Sequence, residues 1–491
     1  MAQPQPAELE ISKHVPIDDV PALNSYEEEE EVDHAYLAAP KQTRIFRGVL
    51  LQMILLGALS FVGPSLADAI SGLGGGGLKD PDLANLARAL SSTMTCIVTL
   101  FGGPLINKIG IKTACVIASF AFFFTGSGYY VNLKYGVQVY LVIARVIVGG
   151  SNGFLYVAES TAMLSYPRFQ DRGTYISIWS AMRNSGGIIG GAIILATNYK
   201  TSGAGAVSAA TYLIFLGFEA SGPIWAFLLS PTKKTRRPDG TKIPTSKEIT
   251  WKSELKALAL HFRHPRVSFT TTRLQLHAFV ANTDSCYLPN FTFLATHFSV
   301  RARALASFLG PTGAVCTALL FGRFLDSKRI SRKVKIWLGK TLVLVPQLAS
   351  FIWVGIEWNK YPNKVALDYD LSRSTWAAAY LGQLLMHCSG FCFQVYLYWI
   401  LATFSNDLKA ASRIGGTFRA FECAGQATSF DLVSKYPRAL KTFYFNASLI
   451  VHATIFMIIL AKSVPETPAE VDDMVRGLDQ VAEDESVESK Q

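Results

Sequence analysis

Nine side chains able to hold charge or donate hydrogen bonds stand inside otherwise apolar stretches: Arg145, Arg183, Asn184, Glu219, Asp284, Gln383, His387, Arg419 and Glu422. An ionisable residue at the centre of a membrane span costs about 2.5–3.5 kcal/mol on insertion scales, so each marks a site of binding or charge coupling by default. Guanidinium groups hold anions, carboxylates hold cations or protons, and amides orient a polar solute. Asp284, in AFVANTDSCYLPNF beside Pro289, is the strongest candidate for a carboxylate that couples a cation or proton. Arg183 needs an acidic partner, and Glu219 on the next apolar run is the nearest in sequence. Arg419 and Glu422, three apart, can pair on one helix. Arg145 and Glu159 fall toward opposite ends of one run and should not meet. Asp68 reads as a helix-end residue.

Bond-making chemistry finds no support. No nucleophile–base spacing, metal-ligand cluster or cofactor loop stands out, so neither an enzyme nor a resident metal or cofactor is expected. The stretch ISGLGGGG (70–77) matches the G-x-G-x-x-G dinucleotide fingerprint, but that pattern is informative only between a strand and a helix. What precedes it is an apolar run long enough to cross a bilayer, so the glycines read as a turn outside the first span. The seven cysteines lie in apolar runs, which indicates no disulfide framework.

The elements that must carry these residues are transmembrane helices. Half of the chain is hydrophobic and only 17% is charged, against about 25% in an ordinary soluble domain. Twelve apolar runs are long enough to span: 46–70, 84–105, 112–131, 138–163, 173–197, 206–229, 268–296, 303–322, 334–355, 375–403, 414–433 and 440–462. Lys and Arg are in excess in the connections that lie inside if the N-terminus is cytoplasmic, so both termini are expected there. The net charge of +10 therefore reports topology, and no nucleic-acid partner is implied.

The resulting organisation is an acidic, disordered cytoplasmic tail (1–43), a six-helix bundle (44–230), a basic cytoplasmic linker (231–266), a second six-helix bundle (267–463) and a disordered tail (464–491). The linker's charge reads as topology plus attraction to anionic lipid. Gly149 and Gly153, with Gly186, Gly187, Gly190 and Gly191, form small-xxx-small patterns expected to bring spans four and five together.

The halves look duplicated. GPLINKIGIK (103–112) follows span two and GRFLDSKRISRK (322–333) follows span eight, each with Gly, three residues, then Asn107 or Asp326 and a basic residue. RGTY (172–175) and GGTF (415–418) open spans five and eleven. The first pair resembles the signature loop of the major facilitator superfamily, which implies a twelve-helix fold and a cytoplasmic latch formed by Gly103, Asn107, Lys108, Gly322, Asp326 and Arg329. Asn107 replaces the acid of that signature, so the first copy should contribute less. Arg145, in RVIVGGSNG, resembles the superfamily's span-four arginine. PSLADAISGLGGGG, MLSYPRFQDRGTYISIWSAMRNSGGIIGG, HFSVRARALASFLGP and LYWILATFSND resemble the Unc-ninety-three-like branch, with departures at Tyr156 and Arg183.

Two functions follow as expectations. One is a secondary transporter that moves a small solute or ion by alternating access. The other, also implied by the resemblance, is a non-transporting regulator or trafficking partner of a channel or receptor. A transporter requires Arg183, Glu219, Asp284, Arg419 and Glu422 to converge on one wet cavity; a regulator can seal them as structural pairs.

Overall fold

A computed structural model describes residues 32–71, 78, 81–198, 209–243, 251–263, 293–294, 297–361, 367–370, 373–403, 408–435 and 440–464. Asp284, the glycines at 72–77, most of the seventh apolar run and the segments 1–31 and 465–491 lie outside them.

Long apolar runs leave the backbone no partner but itself, and the described chain is accordingly helical. It runs α1 (His34–Ala38), α2 (Lys41–Arg47), α3 (Val49–Ser60), α4 (Leu66–Ser71), α5 (Pro81–Leu100), α6 (Gly102–Ile109), α7 (Ile111–Ser119) and α8 (Phe124–Tyr135). Next come α9 (Gln138–Ser165), α10 (Arg172–Asn198), α11 (Ala209–Ala220) and α12 (Gly222–Leu228). The linker supplies α13 (Trp251–Arg263), and α14 (Val300–Leu325), α15 (Arg332–Lys360), α16 (Arg373–Leu401), α17 (Leu408–Lys435) and α18 (Leu440–Ser463) follow. Only isolated β-bridges occur among the described residues.

Among the described residues, eight helical stretches are long and apolar enough to cross a membrane. Large hydrophobic side chains such as Ile97, Phe120, Ile143, Leu320 and Ile352 are exposed along them, as lipid-facing surfaces require. Helices α10 and α17, with 27 and 28 residues, are more polar because Arg172, Arg183, Arg413, Arg419 and Glu422 are buried within the protein.

Between α3 and α4 the chain makes a π-helical turn, Phe61–Ser65, around Pro64. Proline donates no backbone hydrogen bond, so the ladder slips there without the helix ending. Ser65 ends this distortion and Asp68 lies three residues beyond it.

Glycines bring the two halves of the chain together along two antiparallel seams. In the seam between α10 and α14, a Cβ on Gly191 would stand 2.5 Å from the Ser307 carbonyl oxygen. A Cβ on Gly187 would stand 2.9 Å from Pro311, and one on Gly173 would stand 2.9 Å from the Gly322 carbonyl. In the seam between the α5–α6 segment and α17, Gly416 faces the Thr99 carbonyl at 2.9 Å and Gly103 faces the Arg413 backbone at 2.8 Å in the same sense.

These contacts correct the expected role of the small residues. Gly149 and Gly153 pack on Ser91 and Val98 of α5, while Gly186 and Gly190 pack on Ser65 and Ala69 of the first span. The small residues on span four thus face span two, and those on span five face spans one and eight. A one-dimensional pattern marks a close approach but not its partner.

The tail and linker also differ from expectation where they are described. Asp33 caps α1 by accepting from the Tyr36 N–H at 3.0 Å and pairs with Arg236 at 2.8 Å. Val32 bridges Thr241, and the Arg236 N–H donates to the Arg47 carbonyl at 2.9 Å. Residues from Val32 onward are therefore folded onto the linker. Arg237 is buried and donates to the Tyr166 carbonyl at 3.2 Å, and Arg168 pairs with Asp239. These linker arginines hold the protein's own backbone and carboxylates.

Candidate functional site

The described polar residues divide into a cavity, a sealed cluster beside it, a separate cluster on α8, α9 and α11, and two seam ends. The cavity lies between the first span, α10, α14 and α16, with Leu294 on one side. Its polar lining includes Ser65, Asp68, Arg183, Asn184, Gln383 and His387. Four residues singled out in the sequence (Arg183, Asn184, Gln383 and His387) thus converge. Asp68 joins them because the π-helical turn resets the register of α4.

Arg183 finds its carboxylate in Asp68, at 3.6 Å, and not in Glu219. Asp68 also accepts from Arg88 of α5, whose guanidinium lies 5.6 Å from the Phe430 ring centroid. Arg183 is only 9% exposed, and its NH1 group has no hydrogen-bond partner among the described residues. Gln383 is 2% exposed, and neither its amide oxygen nor its nitrogen has one. Asn184 is partly satisfied within its own helix, donating to the Ser180 carbonyl at 2.8 Å. The His387 ring lies 4.9 Å from that of Phe391, tilted by 56°.

The sealed cluster lies behind Arg183. Arg419 donates to both oxygens of Glu422 at 2.7 Å, and the pair is almost fully buried. Arg183 and Arg419 share two aromatic neighbours: Tyr156 lies 5.3 and 4.7 Å from their guanidinium carbons, and Trp179 lies 5.7 Å from both. Tyr398 adds a third ring to Arg419 at 5.2 Å. Ring faces stabilise desolvated guanidinium groups, which lets two cations lie near one another. Glu159 accepts from Ser60 of the first span.

Glu219 and Arg145 belong elsewhere. Glu219 accepts from the Gly126 N–H at 2.8 Å, while Arg145 donates to Thr125 at 3.4 Å and lies 6.0 Å from the Tyr129 ring centroid. Both are fully buried on the α8 side and neither lines the cavity. Arg145 and Glu159 remain apart, as their positions on α9 require.

At one end of the α10–α14 seam, Asp326 accepts from the backbone N–H of Gly173, at 2.8 Å, and of Thr174. It thereby caps the start of α10, a helix from the other half of the chain. Burial pushes the Asp326 carboxyl above its ordinary value despite these donors. Arg329 is exposed and Lys108 half-buried, so backbone amides provide the partners expected from the basic residues.

The corresponding end of the other seam has the same logic with different parts. Asn107 accepts from the Ser412 hydroxyl at 2.8 Å and donates to Glu254 at 3.1 Å. Glu254 pairs in turn with Arg413 at 3.0 Å, with both side chains 1% exposed. The linker thus brings in the carboxylate that the first signature copy lacks. The sequence hint was the amphipathic pattern of α13, which leaves Glu254 on the buried side with Leu258.

A family model described as the Major Facilitator Superfamily matches residues 45–430. The Notoamide biosynthesis cluster protein O' of Aspergillus versicolor is 29% identical, over 85% of this chain and 88% of its own. UNC93-like protein 1 of Arabidopsis thaliana is 26% identical, over 84% and 89%. Among solved structures, a bacterial homologue of the iron transporter ferroportin in its outward-facing state aligns with a TM-score of 0.60 at 11% identity, covering 84% of this chain and 99% of that one. The human organic anion transporter MFSD10 aligns at 0.57 and 15% identity, covering 85% and 100%. At these identities the structural matches show the fold alone.

Proposed function

The chain belongs to the Major Facilitator Superfamily, and from that premise we propose that it is a secondary transporter of a small solute working by alternating access. In this reading twelve helices form two six-helix bundles, 44–230 and 267–463, with both termini cytoplasmic. The seam ends at Asp326 and Asn107 then close the cytoplasmic side, and the bundles rock about the cavity between them.

One observation carries the proposal. The cavity between the halves holds buried polar atoms of Arg183 and Gln383 that nothing in the described protein satisfies. A buried unsatisfied polar group costs about 1–3 kcal/mol, and more when charged. Partnerless buried atoms also occur on Arg145, Glu219 and Arg419 outside the cavity, but those of Arg183 and Gln383 belong to residues that line it, where an arriving solute can recover the cost.

A second reading has its own support. Arg419 with Glu422, and Glu219 with Gly126, are sealed pairs of the kind a non-transporting regulator of a channel or receptor would retain. Uptake into proteoliposomes under imposed pH and potassium gradients separates the two. Gradient-dependent solute accumulation supports transport; its absence for every solute and gradient favours the regulator.

A further inference from the structure

Within the transporter reading, we infer that the cavity recognises the carboxylate of a small organic anion, with Arg183 and Gln383 as its recognition residues. The argument begins with charge. Among the described residues Asp68 is the carboxylate that lines the cavity, and it is shared by two guanidinium groups, Arg88 and Arg183. Three groups in contact therefore retain one net positive charge. Of the other described carboxylates nearby, Glu422 binds Arg419 with both oxygens, while Glu159 accepts from Ser60 and acts on Arg183 only through space, and neither lines the cavity.

Geometry gives the same sign. Arg183 NH1 and the Gln383 amide nitrogen are donors without partners among the described residues, and both residues line one cavity. Two fixed N–H groups suit a carboxylate, and a guanidinium fork adds charge-assisted strength. The Gln383 amide oxygen remains to accept from a solute hydroxyl or amide. The lining includes the apolar side chains of Leu294, Ala306, Pro311 and Leu384, so the solute should also carry a hydrocarbon or aromatic body. A cation would meet the wrong sign of charge, and a neutral polyol would leave NH1 unneutralised.

The test uses the purified full chain and reads binding, so its result is independent of flux. Thermal unfolding is followed with benzoate, benzamide, benzamidine and hexanoate at matched ionic strength. Benzoate and hexanoate should raise the midpoint saturably, while benzamide and benzamidine should not. Gln383→Leu removes an unsatisfied amide at nearly constant shape, so it should fold at least as well and bind the carboxylates about tenfold more weakly. Arg183→Lys keeps the charge but loses the fork, and should weaken them similarly.

An equal or larger benzamidine shift, no shift with either carboxylate, or unchanged affinities in both variants would overturn the assignment. Carboxylates that bind without being carried leave this inference standing and count against transport. Gradient-driven flux of a solute lacking a carboxylate, indifferent to Arg183→Lys, does the reverse.

Discussion

Glu254, on a helix of the central linker, is buried against Arg413 at the start of α17, 3.0 Å away. Asn107 completes the contact at 3.1 Å. The linker is thus a strap across the seam between the two halves. Breaking a buried pair from one side leaves an uncompensated charge and costs about 3–5 kcal/mol. Glu254→Ala should therefore lower the unfolding midpoint and increase the accessibility of cysteines introduced at this seam end. An unchanged midpoint with unchanged labelling would show that the pair carries no load.

Asn107→Asp has the opposite sign from the one its sequence suggests. Restoring the signature acid should strengthen the latch only if the position lacks a carboxylate. Here Glu254 already occupies the place, and a second carboxylate about 3 Å away would repel it. Asn107→Asp should destabilise this end, and adding Glu254→Gln should restore it. Tightened labelling in the single variant would contradict the contact.

Asp326 caps α10 with both carboxylate oxygens. Asp326→Asn keeps one acceptor and turns an N–H donor toward the other amide. Losing one cap costs about 1 kcal/mol, enough to move a two-state balance about fivefold toward the state open at this end. Cysteine accessibility measured from each side of the membrane checks the direction.

The glycines of the seam act through space. Gly191→Ala places a Cβ 2.5 Å from the Ser307 carbonyl, and neither backbone can yield cheaply. The cost should be about 1–3 kcal/mol. Gly217→Ala, with nothing within 4 Å, is the control and should be neutral or stabilising by up to about 1 kcal/mol. Thermal unfolding of the two variants compares them directly.

The Asp33–Arg236 contact gives a pH dependence. A hydrogen bond from the Tyr36 N–H, and then Arg236, hold the Asp33 carboxyl below its ordinary value. A depressed folded value means that the stabilisation is fully present above about pH 4, the unfolded value, and is lost as pH falls through the folded one. Protease cleavage between residues 32 and 41 should therefore accelerate only below about pH 4. Acceleration on going from pH 5 to pH 8 would contradict it.

What the sequence made legible was local. Arg419 and Glu422 pair as their i, i+3 spacing allows, and Arg145 stays apart from Glu159 on the same helix. Where they are described, the apolar runs are helical, with breaks inside the first three and the sixth. The failures are pairings between helices remote in the chain. Arg183 meets Asp68 and Asn107 meets Glu254, and neither spacing carries a periodic signal. Asp68 also needed the π-helical turn at Pro64 to face the cavity, a shift in register invisible to any regular helical projection.

The central claim is that the cavity between the halves carries a solute across the membrane. Proteoliposomes loaded at one pH and diluted into another, with labelled benzoate outside, test it most directly. Uptake should rise above that of empty liposomes corrected for passive entry, saturate with concentration, and fall at least about tenfold in Gln383→Leu at subsaturating solute. Uptake equal to that of empty liposomes under every pH and potassium gradient, for benzoate and for a broader solute panel, would contradict the account.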